Sequence, residues 1–139
     1  MVEVNYLAVV AAALSTMIVG SVWYAPGVFG KLWMKLAKVK TGNATGGEMA
    51  YTYGMAFVLS LITAYILAHV AFLSNNFFQN SFLQDSLTTG FWLWLGFTAA
   101  RLVMHDLFEM RRKKLTLLNV SHEFVTVMVM AFIIGIMGK

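Results

Sequence analysis

Long apolar stretches alternate with short polar segments along the whole chain of 139 residues. A helix that crosses a membrane needs about 20 apolar residues, and four such stretches are present, at about residues 4–24, 49–72, 87–108 and 115–137. The chain lacks the alternating ten-residue segments that are typical of membrane β-barrel strands. We therefore predict an all-α integral membrane protein, a single domain over residues 1–139 in which four transmembrane helices form an antiparallel bundle.

The segment FGKLWMKLAKVK, which follows the first apolar stretch, has a two-sided pattern. Phe29 and Trp33 fall on one face of a helix, whereas Lys31 and Lys35 fall on another. This pattern is typical of a short amphipathic helix that lies in the headgroup region of a bilayer. A calmodulin-type or other partner-binding helix is the alternative, but the position directly after a transmembrane stretch favours an interfacial helix.

Three further polar segments separate the apolar stretches. TGNATGGE, at residues 41–48, is predicted to be a flexible linker. LSNNFFQNSFLQDS, at residues 73–86, is predicted to be a polar loop that dips into the membrane interface. EMRRKK, at residues 109–114, is predicted to be a tight turn.

The composition indicates a membrane protein. Hydrophobic residues make up 60% of the chain and charged residues 12%, whereas a soluble domain is about half apolar and a quarter charged. The chain has no cysteine, which excludes disulfides, thiolate metal sites and thiol catalysis. A net charge of +4 is compatible with nucleic-acid binding, but basic residues beside transmembrane helices set topology. We therefore expect no nucleic-acid partner.

The basic residues cluster in two of the predicted loops. One group follows the first apolar stretch and the other follows the third: Lys31, Lys35, Lys38 and Lys40, then Arg111, Arg112, Lys113 and Lys114. Basic loops tend to stay in the cytoplasm. We therefore predict a multi-pass protein of the cell (inner) membrane, with both termini outside and both basic loops in the cytoplasm.

Polar residues in the third and fourth apolar stretches match in depth. If the chain turns near Arg112, residues equally far before and after this point lie at the same level of an antiparallel hairpin. The matching residues are spaced by three and four positions along each helix, so that each set shares one face. These counts predict three pairs: Arg101 with Glu123, His105 with Asn119, and Thr98 with Thr126.

Arg101 is the residue that most requires a partner. It lies eight residues before Glu109, which corresponds to about 12 Å along a helix and reaches the middle of a hydrocarbon core of about 30 Å. A lone charge at that depth costs at least about 2.5–3.5 kcal/mol, and Glu123 is the acidic residue expected at the same level. Asp106 and Glu109 lie near the basic turn, where we expect a solvated charge cluster.

The polar residues of these two stretches form a hypothetical site for a small solute or a proton: Arg101, Glu123, His105, Asn119, His122 and Thr98. Glu123 would carry an exchangeable proton, and Arg101 would hold an anionic group or compensate Glu123. The alternative is a non-catalytic structural or accessory membrane subunit, whose polar pairs only hold helices together. An enzyme acting on lipid or quinone is a third hypothesis, disfavoured because no nucleophile motif is present.

No catalytic residue, cofactor or metal is predicted. A metal site formed by His105, His122, Glu109 and Glu123 would straddle two depths, and the chain lacks a recognised metal-binding spacing.

Small residues recur every four positions in several stretches: Ala8, Ala12, Thr16 and Gly20, then Ala50 with Gly54, Ala64 with Ala68, and Ala131 with Gly135. Such spacing permits close helix packing within one chain or between copies, and we expect a homo-oligomer in the lipid bilayer.

Two long stretches resemble a known family. The stretch NYLAVVAAALSTMIVGSVWYAPGVFGKLWMK is similar to the opening of domain-of-unknown-function family 1761, most specifically in Trp23-Tyr24-x-Pro26, Phe29-Gly30 and Trp33-Met34. The stretch GFTAARLVMHDLFEMRRKKLTLLNVSHEFVTVMVM is similar to its second half, in Gly96-Phe97-Thr98, Phe108-Glu109 and Asn119-x-x-His122. The resemblance covers nearly the whole chain. It implies a small four-span bacterial membrane protein and brings no established activity.

Overall fold

The protein is all-helical over the residues that the computed structural model describes, which are 2–39 and 45–138. This confirms the all-α prediction for that part of the chain. The third apolar stretch is one continuous helical run, interrupted only in its hydrogen-bonding pattern by a π-helical segment, π1. The elements are α1 (Tyr6–Trp23), α2 (Gly30–Ala37), α3 (Gly46–Phe78), α4 (Phe82–Leu93), π1 (Trp94–Ala99), α5 (Ala100–Phe108) and α6 (Lys113–Met137).

Three of these helices, α1, α3 and α6, are long and apolar enough to cross a membrane. Large apolar side chains cover their outward faces, among them Leu14, Ile62, Leu73 and Phe132. Apolar surface of this extent is unusual on a soluble monomer and is expected where a protein faces lipid. The architecture is therefore compatible with a multi-pass membrane protein.

Part of the predicted linker is helical. α3 begins at Gly46 because Thr45 and Glu48 form a capping box: the Glu48 amide donates to Thr45 Oγ1 (3.3 Å), and the Thr45 amide donates to Glu48 Oε2 (2.7 Å). Residues 40–44, the rest of the linker together with Lys40, lie outside the described residues, as does Lys139.

The predicted loop at residues 73–86 is reduced to a short turn, residues 79–81, between α3 and α4. Buried Asp85 accepts hydrogen bonds from Asn75 Nδ2 (2.8 Å) and Asn80 Nδ2 (3.0 Å). Ser81 caps α4 by accepting from the Gln84 amide (3.2 Å). These side chains satisfy polar groups where the two helices join, so α3 and α4 extend into the segment and the loop prediction was wrong for most of it.

Small residues let α6 approach both α1 and α4 closely. Ala12 and Ala131 are completely buried. A Cβ atom added at Gly135 would lie 2.8 Å from Leu83 Cα, and one added at Gly90 would lie 2.8 Å from Ala131 Cβ. The α1 stripe of small residues therefore packs within one chain, where Ala8, Ala12 and Thr16 are all buried.

The two ends of the chain lie together. Asn5 caps α1 by accepting from the Ala8 amide (3.1 Å), and its Nδ2 donates to the Met137 carbonyl at the end of α6 (3.2 Å). At the opposite end of the helices, Lys38 and Arg112 line a common groove of about 530 Å³. The two basic segments are therefore neighbours, and both lie away from the termini.

A sharp corner joins α1 to the predicted amphipathic helix, which forms as α2. The Gly30 amide donates to the Ala25 carbonyl (3.1 Å), and a Cβ atom at Gly30 would lie only 2.1 Å from the Tyr24 carbonyl oxygen. Glycine is therefore required at this position. The corner places Trp33 against the Tyr24 ring, with 5.3 Å between ring centroids.

The close contact between α4 and α6 predicts that Gly135→Ala destabilises the protein. The added methyl group meets the backbone of Leu83, which cannot move aside as a flexible side chain can. We expect the free energy of unfolding in mixed micelles to fall by about 1–3 kcal/mol, as for other overpacked interiors. Gly54→Ala is the matched control, because nothing lies within 4 Å of a Cβ there. Equal stability of the two variants would contradict the close approach.

The corner at Gly30 predicts that Gly30→Ala separates α2 from α1. We expect a loss of near-ultraviolet circular dichroism from the packed tryptophans and faster quenching of tryptophan fluorescence by acrylamide. Gly27→Ala, three residues earlier in the same turn, should leave both signals unchanged because a Cβ at Gly27 has open space around it. Matching spectra for the two variants would show that the corner does not depend on Gly30.

Candidate functional site

An open cavity of about 660 Å³ lies between α1, α3 and α6. Small residues such as Gly20 on α1 and Ala56 on α3 give it room, and the rings of Tyr24 and Tyr53 contribute aromatic surface. Among the described residues that line it, Glu123 is the only aspartate, glutamate, lysine or arginine. Among the described residues, the formal charge of the cavity is therefore confined to one place, on α6.

Glu123 and His122 form the polar centre of this site. Glu123 Oε1 lies 3.4 Å from His122 Nδ1, and the side chains are 41% and 14% exposed, respectively. Glu123 thus reaches the open cavity while His122 lies behind it. The contact becomes an ion pair only when the imidazole is protonated.

Aromatic residues from the α1–α2 corner enclose His122. Its ring lies 5.8 Å from the ring of Trp23 and 4.9 Å from that of Tyr24, measured between centroids. Trp23 in turn packs on Phe29 at 4.6 Å. Tyr24 follows the last residue of α1, and burial raises the pKa of its phenol above the ordinary value, with the negative charge of Glu123 adding to the effect. The phenol therefore stays a hydrogen-bond donor.

Two hydroxyl groups join α1 to α3 in the wall of the cavity. Thr16 Oγ1 lies 2.9 Å from Ser60 Oγ and also 2.8 Å from the Ala13 carbonyl. Thr16 must donate to the carbonyl, so Ser60 donates to Thr16. The Ser60 oxygen then keeps free lone pairs that can accept a hydrogen bond from a bound solute.

Several buried polar atoms around this site have no hydrogen-bond partner among the described residues. They are Asn119 Oδ1, His122 Nε2 and Thr126 Oγ1 on α6, together with Trp23 Nε1 on α1. The spacing of three and four residues places the α6 atoms on one face of the helix. Buried polar groups are normally satisfied, so this group indicates a polar surface suited to a water or a small polar solute.

The predicted pairs between the third and fourth apolar stretches do not form. Arg101 is exposed, and its Nη1 contacts Met104 Sδ at 4.0 Å, whereas Glu123 faces the cavity beside His122. No ion pair joins Arg101 to Glu123, although both lie in the described part of the chain. His105 is also exposed. The ladder prediction was therefore wrong within a single chain.

The remaining predicted site residues are divided between separate surfaces. Asn119 lines the groove beside α2, and Thr126 lines the cavity that contains Glu123. Thr98 lies in a different, mostly apolar cleft of about 400 Å³ with Trp94 and Val127. The structure thus brings His122, Glu123 and Thr126 together and separates them from Thr98, Arg101 and His105.

The π-helical segment alters which face of the third apolar stretch meets α6. A π-helical turn contains more residues than an α-helical turn, so the positions after Ala99 are displaced around the axis relative to an ideal helix. Trp94 also inserts towards α6, where its Nε1 donates to the Val120 carbonyl (3.2 Å) and its ring packs on Phe124 (4.7 Å). In α5 it is Asp106, one position beyond His105, that meets α6.

Asp106 is buried rather than solvated. Its side chain is 4% exposed, it accepts from Thr116 Oγ1 (2.6 Å), and it lies 3.6 Å from Arg111 Nε. Glu109 is exposed and also pairs with Arg111. The expected charge cluster at the turn is therefore present, but Asp106 belongs to the contact between α5 and α6.

The sequence analysis missed the contribution of α1 and α3 to the site. Thr16 and Gly20 were assigned to helix packing, and Trp23 and Tyr24 were given no role in a site. One signal was available, because two motifs of the resemblance, Trp23-Tyr24-x-Pro26 and Asn119-x-x-His122, lie against each other. Residue periodicity alone could not show this contact.

The site offers acid–base and hydrogen-bonding chemistry. Glu123 and His122 can exchange a proton, and the hydroxyls of Ser60 and Thr126 can orient a small molecule. Within residues 2–39 and 45–138, no group of three or more histidine or acidic side chains is arranged to hold a metal ion.

Comparison with known proteins identifies the family. No curated protein and no solved structure matches this chain. A family model described as "Protein of unknown function (DUF1761)" matches residues 7–135, and this range contains the α1–α2 corner as well as Glu123. The chain therefore belongs to the DUF1761 family of proteins of unknown function.

Proposed function

We propose that this protein is a small multi-pass membrane protein that binds a small solute or a proton in the cavity between α1, α3 and α6. One observation carries the proposal: the Glu123 carboxylate opens into a cavity among helices that are apolar enough to cross a membrane. Ionisable residues in transmembrane helices are rare and usually mark solute paths or proton relays. The site thus lies on the α1 side of α6 rather than between the third and fourth apolar stretches.

Glu123 is the group that takes up and releases the proton in this proposal. His122 Nδ1, at 3.4 Å, is a neighbour that can hold a proton in its place. The Thr126 hydroxyl, which has no partner among the described residues, can donate to the carboxylate or to a solute. Electrostatic interactions are stronger in an apolar surrounding than in water, so protonation of Glu123 changes the affinity for a solute.

We further propose that the helical run from Phe82 to Phe108 is a fourth transmembrane segment and that the four helices form an antiparallel bundle. Contacts at both ends support this, because Leu83 packs on Gly135 and Asp106 binds Thr116. Four crossings put both termini on one side, in agreement with the hydrogen bond from Asn5 to Met137. The basic segments then face the cytoplasm of a bacterial cell, and α2 lies in the headgroup region.

Single cysteines test this topology directly, since the chain has none of its own. Gln79→Cys in the α3–α4 turn should react with a membrane-impermeant maleimide added to spheroplasts. Met110→Cys in the α5–α6 turn should react only after permeabilisation. Both positions are exposed, and neither change alters the charge that sets orientation. Equal labelling from outside would contradict four crossings.

Infrared spectroscopy tests the proposed role of Glu123. We expect a protonated-carboxyl band that disappears as the pH rises and that is absent from Glu123→Gln in lipid. Glu3→Gln is the control, because Glu3 is exposed near the amino terminus. If both variants give the wild-type band, or if no band changes over the pH range in which the protein is folded, Glu123 does not exchange a proton. The structural or accessory role would then be favoured.

A further inference from the structure

Arg101 occupies a position that one chain alone does not explain. It lies in the first turn of α5. Its side chain is exposed, and Nη1 contacts Met104 Sδ. No carboxylate of the described chain lies within salt-bridge distance of it. A charge at membrane depth usually pairs with another protein group. The exposed surface of α5 therefore offers a positive charge to a negatively charged partner.

The acidic residues of the chain leave one candidate at the right depth. Glu3 precedes α1, Glu48 caps α3 beside Thr45, and Asp85 is held by Asn75 and Asn80. Two more, Asp106 and Glu109, both lie against Arg111. Glu123, inside the apolar helix α6, is left. Within the described chain its ion-pair neighbour is His122, and no lysine or arginine lies within salt-bridge distance of it.

Arg101 and Glu123 lie at nearly the same depth. The hydrogen bond between Asp106 and Thr116 fixes a common level for α5 and α6. Arg101 is five residues from Asp106 and Glu123 is seven residues from Thr116, which is about 7.5 Å and about 10.5 Å along the respective helices. The difference is smaller than the reach of an arginine side chain. In two copies related by a twofold axis along the membrane normal, depth is conserved, so these groups can meet.

The same end of the molecule has helices that lack neighbours within the chain. Most of α5 is exposed, including Val103, Met104 and Leu107. The first half of α3 is exposed as well, and a Cβ atom at Gly54 would have nothing within 4 Å. Ala50 and Gly54 form a small-xxx-small pair on this surface, which suits close packing against another helix.

We infer that two copies of this chain pair in the membrane, with Arg101 of each copy binding Glu123 of the other. A twofold interface uses the same surface on both copies, so the two ion pairs are equivalent. Arg101 of each copy then reaches the cavity that contains Glu123 of the other copy. The ion pair that the sequence predicts within one chain thus forms between two chains. The inference rests on the carboxylate of the proposed function, and because a bound arginine favours the ionised carboxylate, pairing and proton exchange are tested by separate measurements.

Cysteine cross-linking tests the pairing without depending on the charges. Arg101→Cys and Glu123→Cys are made in separate, differently tagged chains, mixed in liposomes and treated with a short bis-maleimide, because the Cα atoms of an arginine–glutamate ion pair lie farther apart than a disulfide can span. We expect a cross-linked heterodimer. The control pairs Arg101→Cys with Phe132→Cys, which is exposed on α6 but nine residues from Glu123, and it should not cross-link. Dimers that link through the control pair instead, or a monomer in lipid, would overturn the inference.

Charge exchange tests whether the two groups attract each other. Arg101→Glu should raise the dissociation constant of the dimer, measured by energy transfer between labelled copies, by about tenfold or more. The double variant Arg101→Glu with Glu123→Arg should restore dimerisation, and Lys35→Glu, the same change on exposed α2, should have no effect. A double variant as weak as the single one would disprove the ion pair.

The outcomes separate this inference from the proposed function. A Glu123-dependent infrared band in a monomeric protein would leave proton exchange in place and remove the dimer. A cross-linked dimer without that band would retain the pairing and remove proton exchange.

Discussion

Close contact between α6 and its neighbours is the constraint on which the other features depend. In lipid, the hydrophobic effect does not drive helices together, so association relies on van der Waals contact and polar pairs. Gly90 and Gly135 allow α4 and α6 to meet at backbone distance, and buried Ala12 of α1 lies in the same core as Ala131 of α6. Once α6 is held in this way, its face with Asn119, His122 and Thr126 is directed towards α1 and the corner that follows it.

Some buried polar groups have hydrogen-bond partners and others have none among the described residues. This difference distinguishes residues that hold helices together from those of the candidate site. Asp85 and Asp106 are buried and hydrogen-bonded, each at a junction between consecutive helices, and they hold those helices together. Glu123 and His122 instead line an open cavity, beside polar atoms without partners among the described residues. A buried carboxylate that only stabilises helices needs no such cavity. This contrast is the physical basis for the proposed site at Glu123.

The α1–α2 corner has a structural role in the site although it lies far from Glu123 along the chain. Gly30 permits a turn that any side chain would block. The turn holds Trp23 and Tyr24 against His122, which limits the positions that the imidazole can adopt. Trp23-Tyr24-x-Pro26 and Asn119-x-x-His122, two motifs of the resemblance, are therefore in contact, and substitutions at the corner are expected to act on the candidate site through His122.

Hydrophobic periodicity was sufficient to predict the helices, because the length of an apolar stretch and its flanking polar residues are local properties. The same holds for α2, for the basic segments and for the turn before α6. The helix ends at Gly46, Phe78 and Phe82 were missed, since the surrounding residues are typical of loops although Thr45 and Ser81 cap helices there.

The partners of the polar residues could not be predicted from their spacing. A count outward from Arg112 gives depth, whereas the face of α5 that meets α6 depends on π1 and on how α4 packs before it. Which face of α6 meets α1, and whether Arg101 finds Glu123 in its own chain, depends on how several helices pack at once, and no single segment of sequence contains that information.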